Sequence, residues 1–355
     1  MRYMTVARTG TAAAVGLLLV ACQVSVPGSG VAAPAVLTRT VELGPLQIDG
    51  IAQSMEGELE RAELDTSDMG WITGFRTTVV DAASGLPMGD EFFGHSQIQM
   101  DTGARLMVAA TGIREVQLPE GFGVPVAQIL GDLDEQWRGV SLMGVVLNNH
   151  EPDLQTDVNL RFEIDYVALD DPQATAMRPL YRASVTILPD RPTAKIYEGD
   201  PLAEVEVPRS AHGKTGHWVV PPGMQVVRQR YQGLIGAETQ VHFGVVHLHN
   251  QGRLMSLRDV TTDELLWQVE ARYELDREQI ADLPAYASDE GFTLYPDHVY
   301  ELAAVYDNKG EAPADAMATM YLYHEPAESR TLTYPPAPDA VPPGDDGQSM
   351  AEGGH

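Results

Sequence analysis

The chain has 355 residues, 44% of them apolar and 21% charged, a balance that excludes disordered and collagen-like classes. Its 51 acidic side chains against 23 Lys and Arg give a formal net charge of −28. That field repels anionic headgroups and nucleic acid, so no nucleic-acid partner is expected, and the length predicts two domains.

Arg2 and Arg8 flank the start of an apolar run from Ala12 to Val20 that is too short to span a bilayer and ends in Leu19-Val20-Ala21-Cys22. Residues 1–21 therefore read as a signal peptide. The site is similar to the lipobox of bacterial lipoproteins, which implies that Cys22 is acylated and becomes the mature N-terminus. Cys22 is the only cysteine, so the mature chain is left without disulfides or thiol chemistry and relies on core burial. Residues 22–45 are predicted as a lipidated flexible tether, small and Pro/Gly-containing up to about Ala35. The expected location is the cell envelope, through the lipid anchor only. Gln23 rather than Asp after the cysteine favours the outer membrane if the source is Gram-negative.

The body reads as strands. Val158, Leu160, Phe162, Ile164 and Tyr166 alternate with polar residues, the period of a strand with one buried face. Thr77 to Val80, Ala183 to Leu188, Gln225 to Arg230, Gln240 to His249 and Ala316 to Tyr323 are rich in β-branched or aromatic residues and separated by Pro/Gly turns. Asp263 to Glu274 fits a helix or a strand. The predicted class is all-β: two tandem antiparallel, jelly-roll-like sandwiches over 46–180 and 181–330, joined in the Pro-punctuated region between Asp171 and Pro192. The Pro-rich stretch from Tyr334, within 331–355, is predicted as a disordered acidic tail.

The segment from Val241 to Arg253 carries the most chemistry. On a strand, residues i and i+2 share a face, so His247 and His249 present two imidazoles side by side, in position to hold one metal ion, while strict alternation turns His242 away. A structural His-x-His is the plain alternative. Further on, Met317 and Met320 lie three apart and so on opposite faces; at most one can share a site with the histidines, and core packing accounts for either.

The order His247-Leu248-His249, Gly252-Arg253, the Asp307 to Pro313 turn, Met317 and Tyr321 resembles the C-terminal domain of the copper type II, ascorbate-dependent monooxygenases, the family of the peptidylglycine and dopamine enzymes. Trp218 to Gly223 and Leu294 to Val299 look like that domain's opening turn and a later strand entry. The resemblance implies a copper ion held by His247, His249 and Met317, where oxygen is activated. It selects Met317 over Met320 because the family sets a Tyr four residues after the ligand Met, as Tyr321 stands here. That Tyr, with an Arg two residues before the His-x-His, helps bind a substrate carboxylate in the peptidylglycine enzyme. Here the Arg position is Val245, so a peptidylglycine substrate is not implied.

The first half matches more loosely. Where the family has an adjacent His pair and a later His-x-His-Asn-Pro-like segment for a second, electron-relaying copper, this chain has Gly94-His95-Ser96 and Asn148-Asn149-His150-Glu151-Pro152. The resemblance leaves His95 and His150 as candidate ligands of that ion. No phosphate-binding loop, HExxH or CxxC competes, and Gly94-His95-Ser96-Gln97-Ile98 lacks the second Gly of a nucleophile elbow.

The expected function is thus a copper-dependent monooxygenase-like protein that hydroxylates a small organic substrate with O2 and ascorbate or another electron donor, Tyr321 assisting. The alternative is a non-catalytic copper-binding or copper-handling lipoprotein, and a metal-free adhesion module is the third class. Intact-mass analysis of the mature protein is expected to give an acylated chain starting at Cys22; an unacylated start elsewhere would overturn the lipoprotein reading.

Overall fold

The computed structural model describes residues 33–51, 61–148, 150–188, 216–273 and 279–326. The predicted signal peptide, Cys22 and the acidic tail lie outside them. No helix among the described residues is long and apolar enough to cross a membrane.

The first half supplies β1 (Val36–Asp49), β2 (Arg61–Glu63), β3 (Met69–Asp81), β4 (Phe93–Met100), β5 (Arg105–Ala110), β6 (Glu115–Gln117), β7 (Phe122–Pro125), the short α1 (Val126–Gly131), β8 (Val140–Val146), β9 (Gln155–Ala168) and β10 (Arg178–Pro179). One sheet runs β1-β9-β3-β7-β10 with β6 beside β3; the other runs β2-β8-β4-β5. They face each other through Thr77 on β3, whose hydroxyl meets that of Ser96 on β4 at 2.8 Å, and through Gly144 on β8, where a Cβ would strike Leu160 on β9. The alternation in β9 is as predicted, with Val158, Leu160, Phe162, Ile164 and Tyr166 all buried.

The second half supplies β11 (Tyr181–Thr186), β12 (His217–Val220), β13 (Gly223–Gln232), β14 (Thr239–Leu248), β15 (Gly252–Asp259), β16 (Glu264–Glu270), β17 (Arg272–Tyr273), β18 (Ile280–Asp282), β19 (Tyr286–Leu294), β20 (Val299–Asn308) and β21 (Ala314–Pro326). Its sheets run β11-β21-β14-β19, with β12 also on β21, and β13-β20-β15-β16. Gly244 on β14 lies under the Trp267 ring of β16, and the Tyr231 hydroxyl of β13 donates to the Thr186 carbonyl of β11. The fold is all-β, two tandem sandwiches, and none of these four main sheets mixes strands from the two halves. The ambiguous segment from Asp263 is the strand β16.

The tether is shorter than predicted. From Val36 the chain is already strand: β1 pairs antiparallel with β9 from Val36 opposite Val167 to Leu43 opposite Leu160, then slips past Gly44 and Pro45 and continues to Asp49. Glu42 with Arg161 on the outer face, and Arg39 with Asp68 on the face that carries Tyr166, fasten this strand, so the first sandwich starts at Val36 and not at 46.

The sandwiches meet through the outward face of β11-β21-β14-β19 and the outward face of β2-β8-β4-β5. The Tyr323 hydroxyl accepts the Val108 amide at 3.2 Å, Arg182 Nε donates to the Arg105 carbonyl at 2.8 Å, and Arg178 beside β7 pairs with Glu325. Gln97 and Gln99, both 4% exposed, lie on the β4 face that carries His95, and the Gln97 amide donates to Gln99. This interface mixes polar groups with buried apolar side chains, among them Val108, Phe243 and Val245.

His324, on the inward face of β21, is fully buried against the Thr239 hydroxyl at 2.8 Å, and burial pushes its pKa down to about 4. The unfolded chain takes up this proton near the ordinary histidine value and the folded chain only near 4, so folding loses stability as pH falls between the two. From pH 6.5 to 4.5 the linkage amounts to about 2 kcal/mol for this one group. Urea unfolding of His324→Gln is expected to show a correspondingly shallower decline over that range than the unmodified protein; equal slopes would mean that His324 does not titrate on unfolding.

Candidate metal centre

Strand register brings the candidate residues together. β14 pairs with β21 so that His247 stands opposite Thr319 and Val245 opposite Tyr321, and just past the strand end the His249 amide donates to the Met317 carbonyl at 3.2 Å. β12 pairs on the same β21 with His217 opposite Met317 and Val219 opposite Asp315. Cross-strand partners share a face, so His217, His247, His249, Asp315, Met317 and Tyr321 all lie on the outward face. Met320 is on the other side, fully buried in the second sandwich.

Asp315 organises two of the imidazoles. Its carboxylate accepts from His249 Nδ1 at 2.7 Å and from His217 Nδ1 at 3.1 Å, and the ring centres of His217 and His249 are 5.1 Å apart. One ligand atom from each of His217, His249 and Asp315 can be chosen with all three within 4.8 Å of one another. The His249 and His247 rings are edge to face at 5.1 Å. A carboxylate that accepts a hydrogen bond from Nδ1–H fixes the tautomer whose Nε2 lone pair can ligate a metal, the arrangement found behind most metal-ligating histidines.

The electrostatics fit that role. Desolvation, then the neighbouring His249, His95 and His217, hold the His247 pKa well below the ordinary histidine range, so this imidazole is neutral at physiological pH. For Asp315 burial works upward, but the charge of His249 and the hydrogen bonds from His217 and His249 outweigh it, and its carboxyl lies well below the usual range. The carboxylate keeps 40% of its side-chain surface in solvent while the imidazoles of His217 and His249 keep 10% and 16%, so the cluster opens to water on its acidic side.

His95 belongs to this cluster. It projects from β4 of the first sandwich, and its ring stands edge on to that of His247 at 6.4 Å between centres. His150 is held elsewhere: its contacts are the Phe92 ring at 5.1 Å and the carboxylates of Glu91 and Glu151 at 3.7 and 3.8 Å. Both its ring nitrogens are buried without a hydrogen bond. His95 and His150 thus have different ring neighbours, His247 for the first and Phe92 for the second. Asn148 is structural, since its amide donates to the Gly50 and Glu151 carbonyls and its oxygen accepts the Glu151 amide, closing the turn that carries His150.

His242 also departs from strict alternation. A bulge between Val241 and Phe243 resets the strand. The His242 ring consequently meets Phe122 of the first sandwich at 4.5 Å and Glu325 at 3.6 Å, on the outward side like His247. What separates it from the cluster is five residues of strand, about 16 Å. Tyr321 lies buried beneath the Arg182 guanidinium at 5.3 Å, so an arginine from the neighbouring strand stands by this tyrosine although Val245 holds the position the resemblance gives to one.

His217 and Asp315 were not singled out from the sequence. Asp315 did carry a signal, since it stands two residues before Met317 and shares its face. His217 carried none, because its partners are 32 and 98 residues away. Asp315→Asn is expected to keep the fold but weaken metal binding by roughly 10- to 100-fold, read by chelator competition, whereas His242→Ala leaves affinity unchanged. Equal losses would place His242 at the metal.

No family model matches the chain, and no curated protein does. Among solved structures, it is similar to peptide-N(4)-(N-acetyl-beta-D-glucosaminyl) asparagine amidase, with TM-score 0.35 and 10% identity over 81% of this chain and 96% of that one. A second structure of that type, the glycosylasparaginase PNGase F from Flavobacterium meningosepticum, gives 0.35 and 9% over 82% and 97%. A structure of Sulfolobus turreted icosahedral virus gives 0.38 and 8% over 82% and 90%.

Proposed function

We propose that this chain is an envelope-anchored, copper-dependent monooxygenase-like protein that hydroxylates a small organic substrate with O2 and ascorbate or another reductant. The observation that carries the reading is the shared outward face of His247, His249 and Met317, with Met320 turned into the core. The donor set fits the ion: neutral imidazoles and a thioether suit Cu(I). The Met317 methyl reaches the side of Gly216, where a Cβ would stand 3.4 Å from it, so the thioether lies next to His217. Copper held there would supply one-electron and oxygen chemistry.

The chain's own residues then have distinct tasks. Asp315 holds the Nδ1 protons of His249 and His217 and fixes the ring that faces the ion. His247 offers a lone pair because it stays neutral. Tyr321, backed by Arg182, supplies a hydroxyl and a nearby cation on the same face, groups able to orient an anionic or polar substrate. Cys22 is the lipid attachment point, and contact with the membrane runs through that anchor alone.

One observation favours the second reading, a copper-binding or copper-handling protein without catalysis. His95 faces His247 and not His150, so the two residues left for a separate relay copper are apart in their contacts. Oxygen consumption with ascorbate separates the readings: turnover supports the oxygenase, and copper binding without turnover supports the handling role.

Met317→Ile is expected to keep the fold, since volume-conserving apolar swaps cost less than about 1.5 kcal/mol. It should remove the copper–sulfur scatterer from the X-ray absorption spectrum of the reduced protein, and Met320→Ile should retain it. The reverse pattern would reassign the sulfur ligand, and absence of sulfur from the unmodified protein would sink the His-His-Met site.

A further inference from the structure

We propose that the cluster is one metal site shared by the two sandwiches, with His95 as the ligand given by the first; this rests on the reading above that the cluster binds metal. Three ring spacings carry it. His217 and His249, and likewise His249 and His247, are 5.1 Å apart, and His247 and His95 are 6.4 Å apart across the interface. A metal–nitrogen distance of about 2.1 Å puts the ring centres of two imidazoles about 5 Å apart at a tetrahedral angle and about 6.5 Å apart when they are opposed. The observed spacings span that interval. His95 therefore stands within the range of an ion held by His247 and His249.

The surroundings of His95 point the same way. It shares the outward face of β4 with Gln97 and Gln99, which are occupied with each other and with the Met143 sulfur, so the imidazole is the one titratable side chain this strand sends into the interface. Opposite it are His247 and, behind that, His249 with its Asp315 acceptor. Beside His247 stand His249, His95, His217 and Arg105. Arg105, from the first sandwich, is a cation that cannot ligate, and the three histidines can. An ion bound by both sandwiches ties them together, so it stabilises the folded chain by mass action and its loss frees the interface.

The mature chain is loaded with Cu(I), freed of excess metal and assayed for copper by mass spectrometry, and copper-induced thermal stabilisation is read alongside. One ion per chain is expected, with at least three imidazoles in its X-ray absorption multiple scattering. His95→Ala is expected to keep the apo melting temperature, to lower affinity at least about tenfold and to lose most of the copper-induced shift, while His150→Ala changes none of these. Two ions per chain with one lost in both variants, or unaltered affinity in His95→Ala, would overturn the shared site and leave the metal-centre reading standing. Two imidazoles in the unmodified protein would do the same without any variant. Failure of the unmodified protein to bind copper would instead remove the metal-centre reading itself.

Discussion

The register of β14 on β21 is the constraint on which the cluster depends. Along these strands Val246, Leu248, Ala316, Ala318, Met320 and Leu322 fill the second sandwich, and the residues between them face outward. Because side chains alternate, a slip of one residue would bury His247 and His249 and turn the apolar set to the interface, at a cost of several buried side chains worth about 1.5–3 kcal/mol each. The apolar core thus fixes the orientation of the polar face. The bulge at His242 matters for the same reason: it absorbs one extra residue, so that the segments on either side both keep their apolar residues inward.

A second constraint is where the polar groups go. The two interiors are apolar, while the layer between the sandwiches holds Gln97, Gln99, Arg182, Tyr321, Tyr323 and the histidines. Buried polar groups of this kind are tolerated only when satisfied, and several are met within the layer: glutamine by glutamine, the Val108 amide by the Tyr323 hydroxyl, Arg182 by the Arg105 carbonyl, imidazole by Asp315. Asp315 is the anion that His217 and His249 share, and it reaches them from the solvent edge, where its side chain stays 40% exposed.

Alternation within a strand was legible in the sequence, and with it the all-β class, the second-half strands and the shared face of His247 with His249. Parity also separated Met317 from Met320. What alternation cannot encode is pairing between distant strands. His217 joins the site because β12 lies on β21 across 98 residues, and His95 because two outward sheet faces meet across 152 residues; nothing local at either position signals it. The bulge at His242 was illegible because Val-His-Phe alternates as well as any strand. β1 was missed because the interruption at Gly44-Pro45 breaks the periodicity that its two halves share with β9.

The orientation of Asp315 ties these threads together. Were the carboxylate to ligate a metal directly, it would compete with the Nδ1–H bonds that it now accepts, and His217 and His249 would each lose the partner that sets its tautomer. Kept as an acceptor, it aligns two imidazoles through Nδ1, with Nε2 on the far side of each ring. His247 then needs no carboxylate of its own, because desolvation and its histidine neighbours already keep it unprotonated. A soft, low-charge ion suits such a set of neutral donors better than a hard divalent one, which would draw the carboxylate inward. On the copper reading proposed above, the hydrogen bonds of Asp315 and the thioether of Met317 on the same face are two separate features that would suit a soft, low-charge ion.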